Sequence, residues 1–165
     1  MTALAARRRT ISRRRAARFA AVQALYQLEV TGEEPETVIA EFRTHRLHNL
    51  LESVAPRVRL PRADADWFAH VVRGTWRERA RLDALLEPTL AAGWTLKRCG
   101  YLLRACLRAG TFELLCCPEV PFRVVINEYV EVAHLFFGGD EPRFVNAVLD
   151  RLSRELRREE RDRER

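Results

Sequence analysis

Apolar positions recur along this chain at three- and four-residue intervals, the period of helices that bury one face. The densest case is residues 121 to 152, PFRVVINEYVEVAHLFFGGDEPRFVNAVLDRL. Val125, Tyr129, Val132 and Phe136 fall at i, i+4, i+7 and i+11, and Ile126, Val130, Ala133 and Phe137 repeat that spacing one residue later. The spacing predicts a helix with a wide buried face, which leaves only Asn127, Glu128, Glu131 and His134 to meet water or a partner. Gly138 and Gly139 are expected to supply the left-handed backbone that ends it, Asp140 to cap the next helix, and Pro142 to sit in that helix's first turn. Phe144, Val145, Val148, Leu149 and Leu152 carry the second stripe.

Five further helices are expected upstream. The first begins at Ser12, a good N-cap, and stops at Gly32; Ala17, Ala21, Ala24 and Leu28 form one stripe, with Phe19, Val22 and Tyr26 beside it. Its small alanines allow another helix to approach closely. Pro35 starts a second helix reaching to about Leu51, and residues 52 to 63, with two prolines and no clear period, read as the longest loop. Asp64 or Asp66 opens a third helix containing Trp67, Phe68, Val71, Val72, Thr75 and Trp76. A short fourth runs from Leu82 to Leu90, and a fifth from Leu96 to about Cys116. Gly100 and Gly110 inside the fifth each cost about 1 kcal/mol relative to alanine, so both are expected to mark close helix contacts. Past Leu156 the alternating charges of RREERDRER read as a solvated end. No run of β-branched residues has period two, so the fold class is all-α: a compact bundle of about seven helices in two helical subdomains.

Length and charge refine this picture. The 165 residues, 47% of them hydrophobic, suffice for one core. The expected organisation is a basic disordered arm over 1–12, a helical domain over 13–156 with subdomains of about 13–90 and 94–156, and a charged tail over 157–165. No apolar run is of membrane-span or signal-peptide type, so a cytoplasmic location is expected. Residues 1 to 18 hold seven arginines and no acid, so the overall +6 is an arm of +7 on a body that is slightly acidic. Arg14, Arg15 and Arg18 fall in the first turns of a helix, where the positive end of its dipole adds to their field; that favours an anionic ligand over an isolated helix.

The chain carries little that could do chemistry. There is no Gly-rich phosphate loop after a strand and no GxSxG elbow. Cys99, Cys106, Cys116 and Cys117 lack zinc-site spacing and read as reduced core residues. Glu131 and His134 form one Glu-x-x-His unit where a di-iron bundle needs two plus two more glutamates, so no metal or other cofactor is expected. Glu128 and Glu131 read as structural rather than as an acid/base pair. Asn127 and Asn146, inside apolar helices, are expected to satisfy neighbouring backbone groups, direct ligand contact being the lesser reading. A binding protein rather than an enzyme is implied.

The gapless run FELLCCPEVPFRVVINEYVEVAHLFFGGDEPRFVNAVLD resembles the signature of the bacterial transcription antitermination family NusB, and RRRAARFAAVQALYQ resembles that family's opening. The resemblance spans residues 13 to 153. Tyr129 stands where a small residue is usual, Ala147 replaces a common glycine and His134 a lysine. Membership implies an RNA-binding protein that recognises the boxA element of ribosomal RNA leader transcripts. It would act with the small-subunit ribosomal protein NusE, within a complex that keeps RNA polymerase from terminating. The RNA-facing residues it implies are Arg14, Arg15, Arg18, Arg123, Phe136, Asp140 and Phe144. Cations along the phosphates and aromatic faces for exposed bases are what single-stranded RNA requires, which agrees with that set; Asp140 is the exception, since a carboxylate repels phosphate. By apolar spacing alone, Phe136 and Phe144 fit a core equally well. The alternative is a non-catalytic helical adaptor for protein interaction or ribosome assembly, with a basic arm. Pairing of two copies through the fifth and sixth helices would also fit the apolar pattern.

Overall fold

The computed structural model describes residues 11–50 and 62–165. The arm ahead of Ile11 and nearly all of the loop expected over 52–63 lie outside the described residues. The described residues hold eight α-helices and no strand. α1 spans Arg13–Thr31, with the Ser12 hydroxyl accepting from the Arg15 amide at 3.0 Å and Gly32 at φ 69° ending it. α2, Pro35–Glu41, continues into a π-helical turn over Phe42–Arg46 instead of reaching Leu51 as a regular helix. α3 is Ala65–Arg77, capped by the Asp64 carboxylate on the Trp67 amide, and α4 is Arg79–Leu86, starting before the expected Leu82 and ending before Leu90, where a 3-10 turn takes over at Glu87–Thr89.

The stretch expected as one fifth helix is divided. Leu96–Cys99 is a 3-10 turn, and α5 runs over Gly100–Cys116. Gly100 sits at the junction with φ 76° and ψ 164°, a conformation essentially closed to residues with a Cβ, and nothing approaches it closely. Gly100 is thus a backbone joint, not the close contact expected. Gly110 is the close contact: a Cβ there would stand 2.8 Å from Leu149 Cδ1.

α6 is Phe122–Phe136 and α7 is Glu141–Leu156. Neither Gly138 nor Gly139 is left-handed; α6 ends because Phe137 turns extended at φ −124° and ψ 138°. Asp140 occupies the N-cap position of α7, but its side chain makes no capping hydrogen bond, so the expected cap is absent and the carboxylate faces solvent.

One continuous apolar cluster joins these helices. α1 packs on α3, α5 and α6, with Ala16, Ala17, Ala20, Ala21 and Ala24 fully buried along it. α5, α6 and α7 pack mutually. Cys106 and Cys117 are buried in this core and their thiols are pushed up to about 12 by desolvation, whereas Cys116 is exposed. No helix among the described residues is long and apolar enough to cross a membrane.

The segment after Leu156 is only in part the solvated end expected: most of residues 158 to 165 are exposed, but its first residue is not. Arg157 is buried, and its guanidinium donates to the carbonyls of Leu114 at 2.6 Å, Cys117 at 2.9 Å, Val120 at 2.9 Å and Glu113 at 3.2 Å. It thereby caps the C-terminal end of α5, where unpaired carbonyls and the negative end of the helix dipole collect. α8, Arg158–Arg163, follows, and its Glu160 accepts from the Phe122 amide at the start of α6 at 2.9 Å.

Candidate nucleic-acid interface

The basic face begins at the first turn of α1. Ser12 holds that turn, and two further bonds fix it beside α3: Asp64 N–H donates to the Arg13 carbonyl at 3.0 Å, and Arg13 Nε donates to the Arg62 carbonyl at 3.1 Å. Arg14 points outward, exposed, with its guanidinium 4.1 Å from the centroid of the Trp67 ring. Stacking on an indole holds the plane of an arginine while leaving its N–H edge open to an anion. The spacing that places Trp67 on α3 carries no signal of this contact, because Arg14 belongs to a different helix.

Arg15 and Arg18 meet carboxylates from other helices. Arg15 makes a two-pronged bond to Glu128 of α6 at 2.8 and 3.0 Å and stands 4.0 Å from Glu131. The hydrogen bonds to Glu128 raise the Arg15 pKa above its ordinary value. Arg18 lies deeper, its side chain 3% exposed, and chelates Glu113 of α5 at 2.8 Å. Burial works against its charge, but the bonds to and charge of Glu113 outweigh it and the pKa rises. Tyr129 donates its hydroxyl to the same Glu113, and burial followed by that neighbouring carboxylate holds the phenol well above its ordinary range. Arg18, Glu113 and Tyr129 thus form a closed polar core between α1, α5 and α6. The Arg18 charge expected to be uncompensated is compensated, and no edge of its guanidinium faces solvent.

The other expected residues are spread around α6 and α7. Arg123 is 71% exposed at the start of α6, bonded at 2.8 Å to Glu164 from just beyond α8. Phe136, at the far end of α6, stacks on the fully buried Phe19 with centroids 4.5 Å apart, so it works chiefly as core. Asp140 is exposed in the α6–α7 turn. Phe144 is half-buried against Trp94, with ring centroids 5.8 Å apart and Trp94 itself 50% exposed. The structure therefore sets Arg15 against α6 and Arg14 against α3, places Arg123 and the Asp140–Phe144 turn at the two ends of α6, and withdraws Arg18 and most of Phe136 into the interior.

Asn127 and Asn146 are both exposed, and neither side chain has a hydrogen-bond partner among the described residues, contrary to the backbone role expected of them. A separate groove of about 750 Å³ lies between α1, the start of α5 and the end of α6, flanked by the exposed side chains of Tyr26, Val30 and Tyr101.

Comparison with known proteins accords with this architecture. The chain is 47% identical over 151 residues to the transcription antitermination protein NusB of Rhizobium rhizogenes, covering 92% of each chain. Its fold is similar to that of Thermotoga maritima NusB, with a TM-score of 0.69 at 28% identity over 88% of this chain and 93% of the other. It is also similar, in fold, to a chain in a complex of the antitermination factors NusB and NusE with double-stranded RNA, with a TM-score of 0.63 at 24% identity, covering 84% and 93%. The NusB family profile matches residues 15–154, from the half-buried Arg15 into the last turn of α7, and with that span the chain belongs to the NusB family.

Proposed function

We propose that this chain is an RNA-binding transcription antitermination factor that recognises boxA RNA of ribosomal RNA leader transcripts together with ribosomal protein NusE, and that it keeps cytoplasmic RNA polymerase processive. The observation that carries this reading is the open guanidinium edge of Arg14 on Trp67, at the base of an arginine-rich arm in a NusB-family chain. Arg123 offers a second exposed cation, and Phe144 with Trp94 offers an aromatic surface beside the exposed turn at Asp140. Cations for phosphate and rings for splayed bases are the two elements single-stranded RNA binding needs. Arg15, Arg18 and Phe136 serve this surface mainly by fixing α1 on α5 and α6.

A protein partner needs an apolar face as well, and the groove beside Tyr26, Val30 and Tyr101 is suited to it: large exposed aromatic and aliphatic groups around a concavity mark protein contacts. The complex of NusB and NusE with RNA supports a partner of that kind. A second copy of the chain could cover the same groove, and sedimentation of the chain alone against a mixture with NusE separates the two.

The deciding experiment is equilibrium binding of boxA RNA and a scrambled RNA at near-physiological salt, with and without NusE. Selective binding tightened by NusE is expected. Equal weak binding to both RNAs, indifferent to NusE, would leave the adaptor reading in its place.

A further inference from the structure

We propose that the short groove between α6 and α7 is a base-reading site, in which Asn127 and Asn146 hydrogen-bond the edge of one unpaired nucleobase. The inference deepens the RNA-binding reading above and rests on it. The groove encloses about 250 Å³; Ile126 and Val130 give it a small apolar floor, Phe122 lies buried beneath the guanidinium groups of Arg123 and Arg161, and Asn127 from α6 and Asn146 from α7 line it from the two helices. Both side chains are exposed and lack any protein partner among the described residues, so their donors and acceptors are unspent.

Three features select a base as occupant. A carboxamide presents one acceptor and two donors in a plane, the pattern that pairs with the adjacent donor and acceptor on a base edge. An apolar floor receives the face of a ring while its edge meets the amides. Arg123, itself lining the groove and 71% exposed, stands where the sugar-phosphate of that nucleotide would leave it and would exchange its surface pair with Glu164 for the phosphate. The one carboxylate of the lining, Asp150, is held at 2.9 Å by Arg154 and at 3.2 Å by Arg161, so its charge is met within the protein and does not repel the phosphate. An extended peptide would need a longer trough than one of this volume.

The arrangement differs from the phosphate contacts in what it controls. Cations set affinity and its salt dependence, while amides on a base edge set which base is accepted. The double variant N127A/N146A changes only exposed side chains, and its melting temperature confirms folding. Binding of the wild type and this variant is measured with boxA RNA and a set of single-base substitutions across it, each at several salt concentrations. The wild type is expected to disfavour substitutions at one position by about 5- to 100-fold, and the double variant to lose that preference to within about twofold while its salt slope stays unchanged. Retained discrimination at every position overturns the inference and leaves the RNA-binding reading intact. So does a changed salt slope with discrimination kept, or a loss confined to NusE affinity. A wild type that does not prefer boxA over scrambled RNA removes both readings, and is recognised before any variant is made.

Discussion

Arg18 and Glu113 stand 95 residues apart in the chain and close a two-pronged ion pair at 2.8 Å, with side chains 3% and 0% exposed. Removing either partner alone leaves an unpaired charge inside the bundle, so Arg18→Met and Glu113→Leu are each expected to cost about 3 to 5 kcal/mol. The apolar pair R18M/E113L should cost much less than the two single changes added together. Urea denaturation of the four proteins completes the cycle, and additive costs would disprove the coupling.

The exposed arginines carry the opposite expectation. Arg14→Ala and Arg123→Ala should each leave the melting temperature unchanged and reduce the slope of log affinity for RNA against log salt by about 0.7, the value for one single-strand phosphate contact. R18M/E113L, once shown to be folded, should keep the full slope. A slope that falls with Arg18 and stands with Arg14 would reverse the assignment.

Glu164 competes for one of these cations. A surface pair of this kind is worth about 0 to 1 kcal/mol, so Glu164→Ala is expected to tighten RNA binding by at most about fivefold, at low salt more than at high. Equal affinity of variant and wild type at low salt would show that the pair does not hold Arg123 back.

Phe136 and Phe144 should separate in a pair of measurements. Phe136→Ala removes a ring stacked on Phe19 and is expected to destabilise by about 3 kcal/mol. Phe144→Ala, losing a half-exposed ring against Trp94, should cost less stability and weaken RNA binding by about 1 to 3 kcal/mol per unstacked base. RNA affinity unchanged in Phe144→Ala would return that ring to the core.

Alkaline pH should act on the buried core. Tyr129, Cys106 and Cys117 all have raised pKa values in the fold, so their neutral forms stabilise it fully below the ordinary values of the unfolded chain. That contribution is lost as pH rises from about 9 towards 12, where the unfolded chain releases protons the folded one retains. Unfolding free energy measured from pH 8 to 11 should fall, and Tyr129→Phe should flatten the upper part of that fall. An identical curve for the variant would remove Tyr129 as a contributor.

What could be read from the sequence was what local chemistry decides. Ser12 and Gly32 bound α1 as expected because a cap acts within one turn, and the periodicity from Phe122 to Leu152 located α6 and α7 for the same reason. The burial of Arg18 was not legible, because its partner lies on another helix and a run of arginines reads alike whichever way each one turns. Gly138 and Gly139 suggested a left-handed stop, yet Phe137 had already left the helix by turning extended. Asn127 and Asn146 could be assigned to backbone groups only while their surroundings were unknown.

The guanidinium of Arg157 seals the end of α5, and the Glu160 carboxylate seals the start of α6. Both stoppers come from beyond α7, and without them the corner between the two helices would keep bare carbonyls at the end of α5 and a bare amide at the start of α6. A nascent chain halted after Leu152 holds every apolar stripe of the bundle and still lacks the lock on that corner. Closure of that corner therefore depends on the charged C-terminal segment, not on the apolar stripes of the bundle.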